Sequence, residues 1–400
     1  MDNKEFLKRA AITTDAIAAA GKMNDQQANK FIDYVFDLSV LKNITRQVRF
    51  TSDNYYINKI GVGDRVAWPA AEAQDPGFRR GVSTSRVALN PKDIVVPFEI
   101  SDRFVRFNIE GGSVEDHVIR MMATQLANDI DQLFLDGNTV GPARIEEDIF
   151  LGGDATNYRL DRFLALTNGF LKRAESATVY DAANSALSGS IFNKAILNMP
   201  VKYRKNMSKL RFMLSPDHEQ GYREAMSQRG TSLGDTALQS PNPLTPFGVP
   251  LLGIPMLERN PLYVENSVAN TDGTTATALT YAPHDELALL PTTLGDNLTA
   301  KYVVAAGLDY SEVEAAGTWT RTSGSITSGQ TVKATYNTKG KMLLTDPSNL
   351  IYAIGLDVSI EKDRNIYKRM NEYAIHVSVD CQIENLLAMV MVKNLADPAL

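Results

Sequence analysis

Residues 113–137 constrain this chain more than any other stretch: Ser-Val-Glu-Asp-His-Val-Ile-Arg-Met-Met-Ala-Thr-Gln-Leu-Ala-Asn-Asp-Ile-Asp-Gln-Leu-Phe-Leu-Asp-Gly. Val114, Val118, Met122, Leu126, Ile130 and Phe134 recur at four-residue steps, and Ile119, Ala123, Ala127 and Leu133 widen the line into a winding apolar face. That spacing predicts an amphipathic helix. Ser113 can accept from first-turn amides, and Glu115 and Asp116 sit where the helix dipole favours negative charge. Gly137 is placed to tolerate a left-handed C-terminal cap. At 1.5 Å per residue such a helix runs roughly 34 Å, enough to lay a sheet against. The stripe reads as core and carries no chemistry of its own.

Around this helix the period changes. The first 22 residues read as a helical arm, and a second helix reads from Asn24 or Asp25 to about Leu41, with Ala28, Phe31, Ile32, Val35 and Leu38 on one side. From Ile44 to Phe107 strands take over: Val48–Thr51, Tyr55–Ile60, then a second pair, Val82–Leu89 and Ile94–Ile100. Trp68 to Gly81 breaks them with two prolines and two glycines. This predicts a long two-stranded excursion with a loose tip. A lone ribbon is marginally stable, so a partner surface is implied.

Beyond the long helix, 138–158 reads as a loop. Helices are expected at 161–175, 190–199 and 217–229, with a compact buried strand at 210–214 and a short apolar passage at 249–257. Residues 266–339 are dense in Thr, Gly, Ser, Ala and Asn, with short strand-like runs, as in an inserted β-rich subdomain or a long surface excursion. Near the end, 349–355 and 358–361 read as strands. Ile375, Val377, Val379, Cys381 and Ile383 alternate with polar positions as a long half-buried strand, with Leu386–Val392 continuing the apolar run.

Chemistry is scarce. Gly61-Val-Gly-Asp-Arg-Val imitates a dinucleotide fingerprint, but Val66 holds the third glycine position and Trp68-Pro69 follows, so a turn between strands is the better reading. His117, His218, His284 and His376 are far apart, and His284-Asp285-Glu286 reads as a polar turn after Pro283 rather than a metal site. Cys381 reads as a buried, inert thiol. As the single cysteine it excludes an intrachain disulfide and a multi-cysteine zinc site. No catalytic residue, cofactor or metal is assigned. A net charge of −6 argues against a chain that grips nucleic acid through a strongly basic face. Without a signal-peptide h-region or a long apolar run, folding in a reducing cytoplasm is expected. Lys194 to Arg211 stands apart, with Lys194, Lys202, Arg204, Lys205, Lys209 and Arg211 and no acid. It reads as a solvated or intersubunit face, or as a phosphate-contacting patch. Arg79 and Arg80, beside Phe78, invite the same readings.

The order of parts is more specific than any motif. An arm is followed by a β-excursion ending in Asn90-Pro-Lys-Asp-Ile-Val-Val-Pro-Phe-Glu-Ile-Ser-Asp-Arg-Phe, and then by the long helix ending in Leu135-Asp-Gly-Asn. A mixed region carries Leu251-Leu-Gly-Ile-Pro-Met-Leu, and Asp346-Pro-Ser-Asn-Leu-Ile-Tyr-Ala-Ile leads to the terminal strand. This resembles the tailed-bacteriophage major capsid protein family, of the Hong Kong 97 type fold, over nearly the whole chain except about 266–340.

The resemblance implies an α+β fold. It would comprise an N-terminal arm (1–47), an E-loop hairpin (48–105), a P domain (106–200) with spine helix 113–137 and long β-strands, and an A domain (201–348) with a β-rich insertion at about 266–340. The strands of 349–400 would return to the P and A domains. It implies no enzyme but a coat protein that self-assembles, as hexamers and pentamers, into an icosahedral shell around the genome. The virion would be its location, after assembly in the host cytoplasm. Implied partners are further copies of the chain, a portal, a decoration protein and packaged double-stranded DNA held without sequence specificity, with no membrane. Because the E-loop starts near residue 48, a separate scaffolding protein is expected. Some members cross-link through a Lys and an Asn; Lys92 lies near the base of the E-loop, and that chemistry is not assigned. Candidate intersubunit contacts are Phe31, Phe36, Trp68, Phe78, Arg79, Arg80, Lys92, Lys202, Arg204 and Lys205. An encapsulin-type compartment and a soluble enzyme are the alternatives, separable by what the shell encloses and by a small fixed oligomer with a convergent pocket.

Overall fold

The apolar stripe folds as expected into a helix, Val114–Asp136, with Val114, Leu126, Leu133 and Phe134 buried. The structure is a computed structural model that describes residues 11–12, 40–50, 55–61, 67, 83–107, 114–139, 143–144, 163–228, 243–270, 274–291, 310–322, 326, 328–329, 331–355 and 359–398. Gly137 is not left-handed. Its N–H still donates to Leu133 O at 2.9 Å, and Gly169 N–H donates to Gly137 O at 2.7 Å. A Cβ at Gly137 would overlap the carbonyl oxygens of Thr167 and Leu133. The glycine therefore serves close approach of two backbones, not a cap. The helix expected at 161–175 is found as Phe170–Ala174, with turns at 163–167 before it.

The chain divides into two compact units, Met1–Asn29 with Gln47–Ile119 and Ile351–Glu384, and Lys30–Arg46 with Arg120–Leu350 and Asn385–Leu400. The first unit is built on a six-stranded sheet. Met370–Ile383 runs between Lys92–Ser101 and Leu350–Ile354, flanked by Ala11–Ile12 and Arg46–Arg49, and also pairs with Ser359–Asn365. Ile375, Val377, Val379, Cys381 and Ile383 are all buried, as the alternation predicts. Two expectations change here. Ala11–Ile12, placed in a helical arm, is extended and parallel to Lys92–Ser101. The strands Ser83–Leu89 and Lys92–Ser101 are not partners. The first pairs with Tyr55–Gly61 and the second with Met370–Ile383, where Phe98 stacks on Tyr373 at 5.0 Å. Pro91 cannot donate, and the Asn90 N–H is taken by Asp380 Oδ2 at 2.7 Å, so the chain switches layers between the two strands. Leu89, Phe50, Ile351 and Ala353 close a small core beneath the ribbon's base.

The second unit has a core of its own. Its five-stranded sheet runs in the order Thr178–Ser185, Met389–Leu395, Gly340–Thr345, Arg211–Leu214, Leu251–Gly253. The helices Gly189–Asn198 and Pro216–Ser227 share one core with Phe212, Leu214, Met342, Leu344, Val390 and Val392. The alternate residues Met213, Leu343 and Met391 point to the opposite face and are equally buried. The helix Phe170–Ala174 packs on Met389–Leu395. Phe192 wedges edge-on between Phe212 (4.7 Å) and Tyr222 (5.0 Å). The apolar run after Ile383 does not extend that strand. Asn385 caps a 3-10 turn, Leu386–Ala388, and the chain then enters this second sheet.

The segment dense in Thr and Gly is β-rich, as expected. A four-stranded sheet (His284–Pro291, Thr331–Thr338, Leu262–Val268, Ala143–Arg144) and a three-stranded one (Thr277–Ala278, Thr318–Arg321, Tyr310–Val313) enclose a separate core around Trp319, Tyr310 and Tyr336. Polar tips are satisfied across it: Trp319 Nε1–H donates to Ser267 Oγ (3.0 Å) and Tyr310 O–H to Leu287 O (2.7 Å). Burial and Glu312 push the Tyr310 phenol up to about 12.

Candidate assembly surfaces

Among the described residues the ribbon Tyr55–Gly61/Ser83–Leu89 has no third strand. Of its described side chains only Leu89, at the base, is buried; Tyr56, Asn58, Thr84, Ser85 and Arg86 are exposed. Arg86 stacks its guanidinium over Tyr56 at 4.8 Å. A second exposed feature is the turn between Ser359–Asn365 and Met370–Ile383, which presents Ile366 and Tyr367 at 77% and 101% exposure. Its base is held firmly. Lys368 Nζ lies 3.3 Å from Glu99 and 3.5 Å from Glu372, and Arg364 donates to Asp102 at 3.0 Å. Glu99 is buried beneath this ion pair. Apolar residues in a tight turn read as core in a sequence, and nothing there marked these two as exposed.

In the second unit, register gathers several turns at one end of the five-stranded sheet. Thr345 lies opposite both Arg211 and Met389, Val390 opposite Thr178, and Phe212 opposite Leu251. The 3-10 segments Val201–Lys209, Pro246–Gly248, Pro347–Asn349 and Leu386–Ala388 therefore all adjoin this end. Side-chain amides tie three of them together: Asn385 Nδ2 donates to Tyr203 Oη (2.7 Å), and Asn349 Nδ2 to Asn385 O (3.0 Å) and Thr345 Oγ1 (3.1 Å). On this braced base Leu197, Val201, Phe247 and Leu387 are exposed, Val201 at 71%. Lys194, Lys202, Lys205 and Lys209 are exposed beside them, and Arg204 and Arg211 are half-buried. No acid occurs in residues 194–215 or 243–257. Asp346 accepts from the N–H and Oγ of Ser348.

The histidines build no site. Among the described residues no group of three metal-ligating side chains occurs. His284 is not in a turn but opens a strand and is fully buried, edge-on to Tyr336 at 5.8 Å and 3.6 Å from Glu312. His218 is buried at the start of its helix, and burial lowers its pKa. It borders a cavity of about 230 Å³ with Leu187, Tyr222 and Pro398. His376 is exposed. Lys341 went unnoticed in the sequence, although an amine inside an apolar strand is a signal. It is buried with its Nζ 4.5 Å from the centre of the Tyr281 ring and 5.6 Å from that of Tyr263. Desolvation lowers its pKa, against the pull of Glu175 and Asp136. Cys381 is buried on the apolar face of its strand, as expected.

Of the predicted contact residues, Lys202, Arg204 and Lys205 meet on the braced end, and Lys92 is exposed at the start of its strand. Phe31, Phe36, Trp68, Phe78, Arg79 and Arg80 lie outside the described residues, as do Ser113 and most of the helix expected at 24–41. Among the described residues no helix is long and apolar enough to cross a membrane.

The six-stranded sheet of one unit, the α/β core of the other and the long helix Val114–Asp136 can be compared with solved structures. The capsid chain of the satellite phage P4 procapsid, solved with its size determination (Sid) protein, superposes with a TM-score of 0.51 over 99% of this chain and 98% of that one, at 10% identity. The capsid of the native GTA particle gives 0.50 over 96% and 100%, at 12% identity. The fold is thus the Hong Kong 97 type, α+β with extra strands. No family model matches the sequence. YqbE of Bacillus subtilis (strain 168), named as a prophage capsid protein, is 30% identical over 260 residues, which span 64% of this chain and 77% of YqbE. The chain belongs to the tailed-bacteriophage major capsid protein family. Its role is structural, in the virion shell.

Proposed function

We propose that copies of this chain assemble, as hexamers and pentamers, into an icosahedral shell that encloses double-stranded DNA without reading its sequence. In this reading 1–47 is the arm, 48–105 the E-loop, and 106–200 the P domain. Residues 201–348 are the A domain with its β-rich insertion, and 349–400 return to both. Assembly takes place in the host cytoplasm with a separate scaffolding protein and a portal, and a decoration protein is a further partner. The part played by the chain is purely structural, without catalysis.

The observation that supports this most is the uncovered ribbon. Two strands whose outer edges find no partner among the described residues, and whose described side chains other than Leu89 are exposed or half-buried, are marginal alone but stable once a neighbour covers them. A shell supplies a neighbour to every copy. Negative-stain electron microscopy of the recombinant chain, with and without a co-expressed scaffold, tests the reading. Closed shells tens of nanometres across, or hexamer and pentamer rings, are expected. Uniform small oligomers under both conditions would count against it.

A further inference from the structure

We infer that the braced end of the five-stranded sheet, centred on Val201–Lys209, is a contact surface for a second copy of this chain, met head to tail. The inference rests on the capsid reading and adds to it a place and a polarity of contact. Three observations carry it. First, Leu197, Val201 and Leu387 stand exposed together on the same end of one sheet, and clustered apolar side chains rimmed by charge mark protein contacts rather than phosphate-binding surfaces, which are chiefly polar. Second, the base is rigid. The Asn385–Tyr203 and Asn349–Asn385 hydrogen bonds fix the turns before any partner arrives, so little ordering cost remains for binding.

Third, the charge selects the occupant. With the six cations of 194–211 set aside, a chain of total charge −6 carries −12 on the remainder. Another copy is therefore an acidic partner for Lys202, Lys205 and Lys209, and steering favours that encounter. The same argument fixes the geometry. A two-fold contact would set these lysines against themselves, whereas a head-to-tail contact sets them against a different, acidic face and closes into rings when the rotation permits.

The test uses the full chain under conditions where the unaltered protein assembles. Lys202→Glu with Lys205→Glu, and separately Val201→Ser with Leu387→Ser, are followed by sedimentation velocity for assembly and by circular dichroism for folding. Each pair is expected to lower the assembled fraction at least tenfold with the fold unchanged, while Lys202→Arg with Lys205→Arg assembles normally. Assembly of both altered pairs at unaltered yield would overturn the inference. So would normal shells that have lost only nucleic acid, because the surface would then face the genome. Failure of the unaltered chain to assemble at all would overturn the capsid reading, and this surface with it.

Discussion

The five-stranded sheet of the second unit and the ribbon of the first treat the same polypeptide chemistry in opposite ways. In Gly340–Thr345 every residue is buried, and strands pair on both sides. In Tyr55–Gly61/Ser83–Leu89 each strand has one partner among the described residues, and of the described side chains only Leu89 is buried. The first region stores the stability of a single molecule. The second leaves backbone groups and aromatic surface available for another. A shell protein needs both, since a chain buried everywhere has nothing to join with, and one exposed everywhere does not fold.

This contrast can be broken most forcefully in the core. Phe192→Ala removes the ring wedged between Phe212 and Tyr222 and should cost about 3–5 kcal/mol in denaturant unfolding. A loss below about 1 kcal/mol would mean that the second unit is not the stability store. Gly340→Ala comes next. Its methyl would overlap the His218 ring, and overpacking of this kind costs about 1–3 kcal/mol, read as a lowered midpoint.

His218 adds a pH arm to the same region. It is neutral and desolvated in the fold, with a pKa below its ordinary 6.5, and Asp397 and Asp217 pull against that shift while Arg259 reinforces it. The unfolded chain therefore binds the extra proton. Stability is full above about pH 6.5 and falls as the pH drops toward the folded-state value, with a slope no steeper than about 1.4 kcal/mol per pH unit from this group. His218→Gln should flatten that dependence between pH 5 and 7 in thermal unfolding. An unchanged slope would remove His218 as its source. The smallest effect on stability is expected from the ribbon. Tyr56→Ser with Arg86→Ser should shift unfolding by no more than about 1 kcal/mol yet reduce shell yield, and a large loss of stability with normal shells would invert the comparison.

Local pattern carried much of this architecture into view. The four-residue step of 113–137, the alternation of 375–383 and the helix expected at 217–229, found as Pro216–Ser227, are each decided by neighbours in sequence. Pairing was not legible, because strand partners lie far apart: Lys92–Ser101 finds Met370–Ile383, and Thr178–Ser185 runs parallel to Met389–Leu395. The same limit misread Gly137, whose need for a missing Cβ comes from Thr167, thirty residues on. At the candidate surface the lysines announced themselves by charge. Leu197, Val201 and Leu387 did not, because an apolar residue looks the same in a sequence whether it faces a core or a future neighbour. Ile366 and Tyr367 were missed for that reason.

Both sheets place a late segment in the interior of their strand order. Met370–Ile383 separates Lys92–Ser101 from Leu350–Ile354, and Met389–Leu395 separates Thr178–Ser185 from Gly340–Thr345. On the ribosome, then, neither sheet can become continuous until residues 370–395 have emerged, and contacts of such long sequence separation form late. A nascent or prematurely terminated chain lacks the strands that hold either unit together. Only complete translation products would present the shell-forming surfaces in order, which gives a shell built from copies of one chain a means of leaving out defective ones.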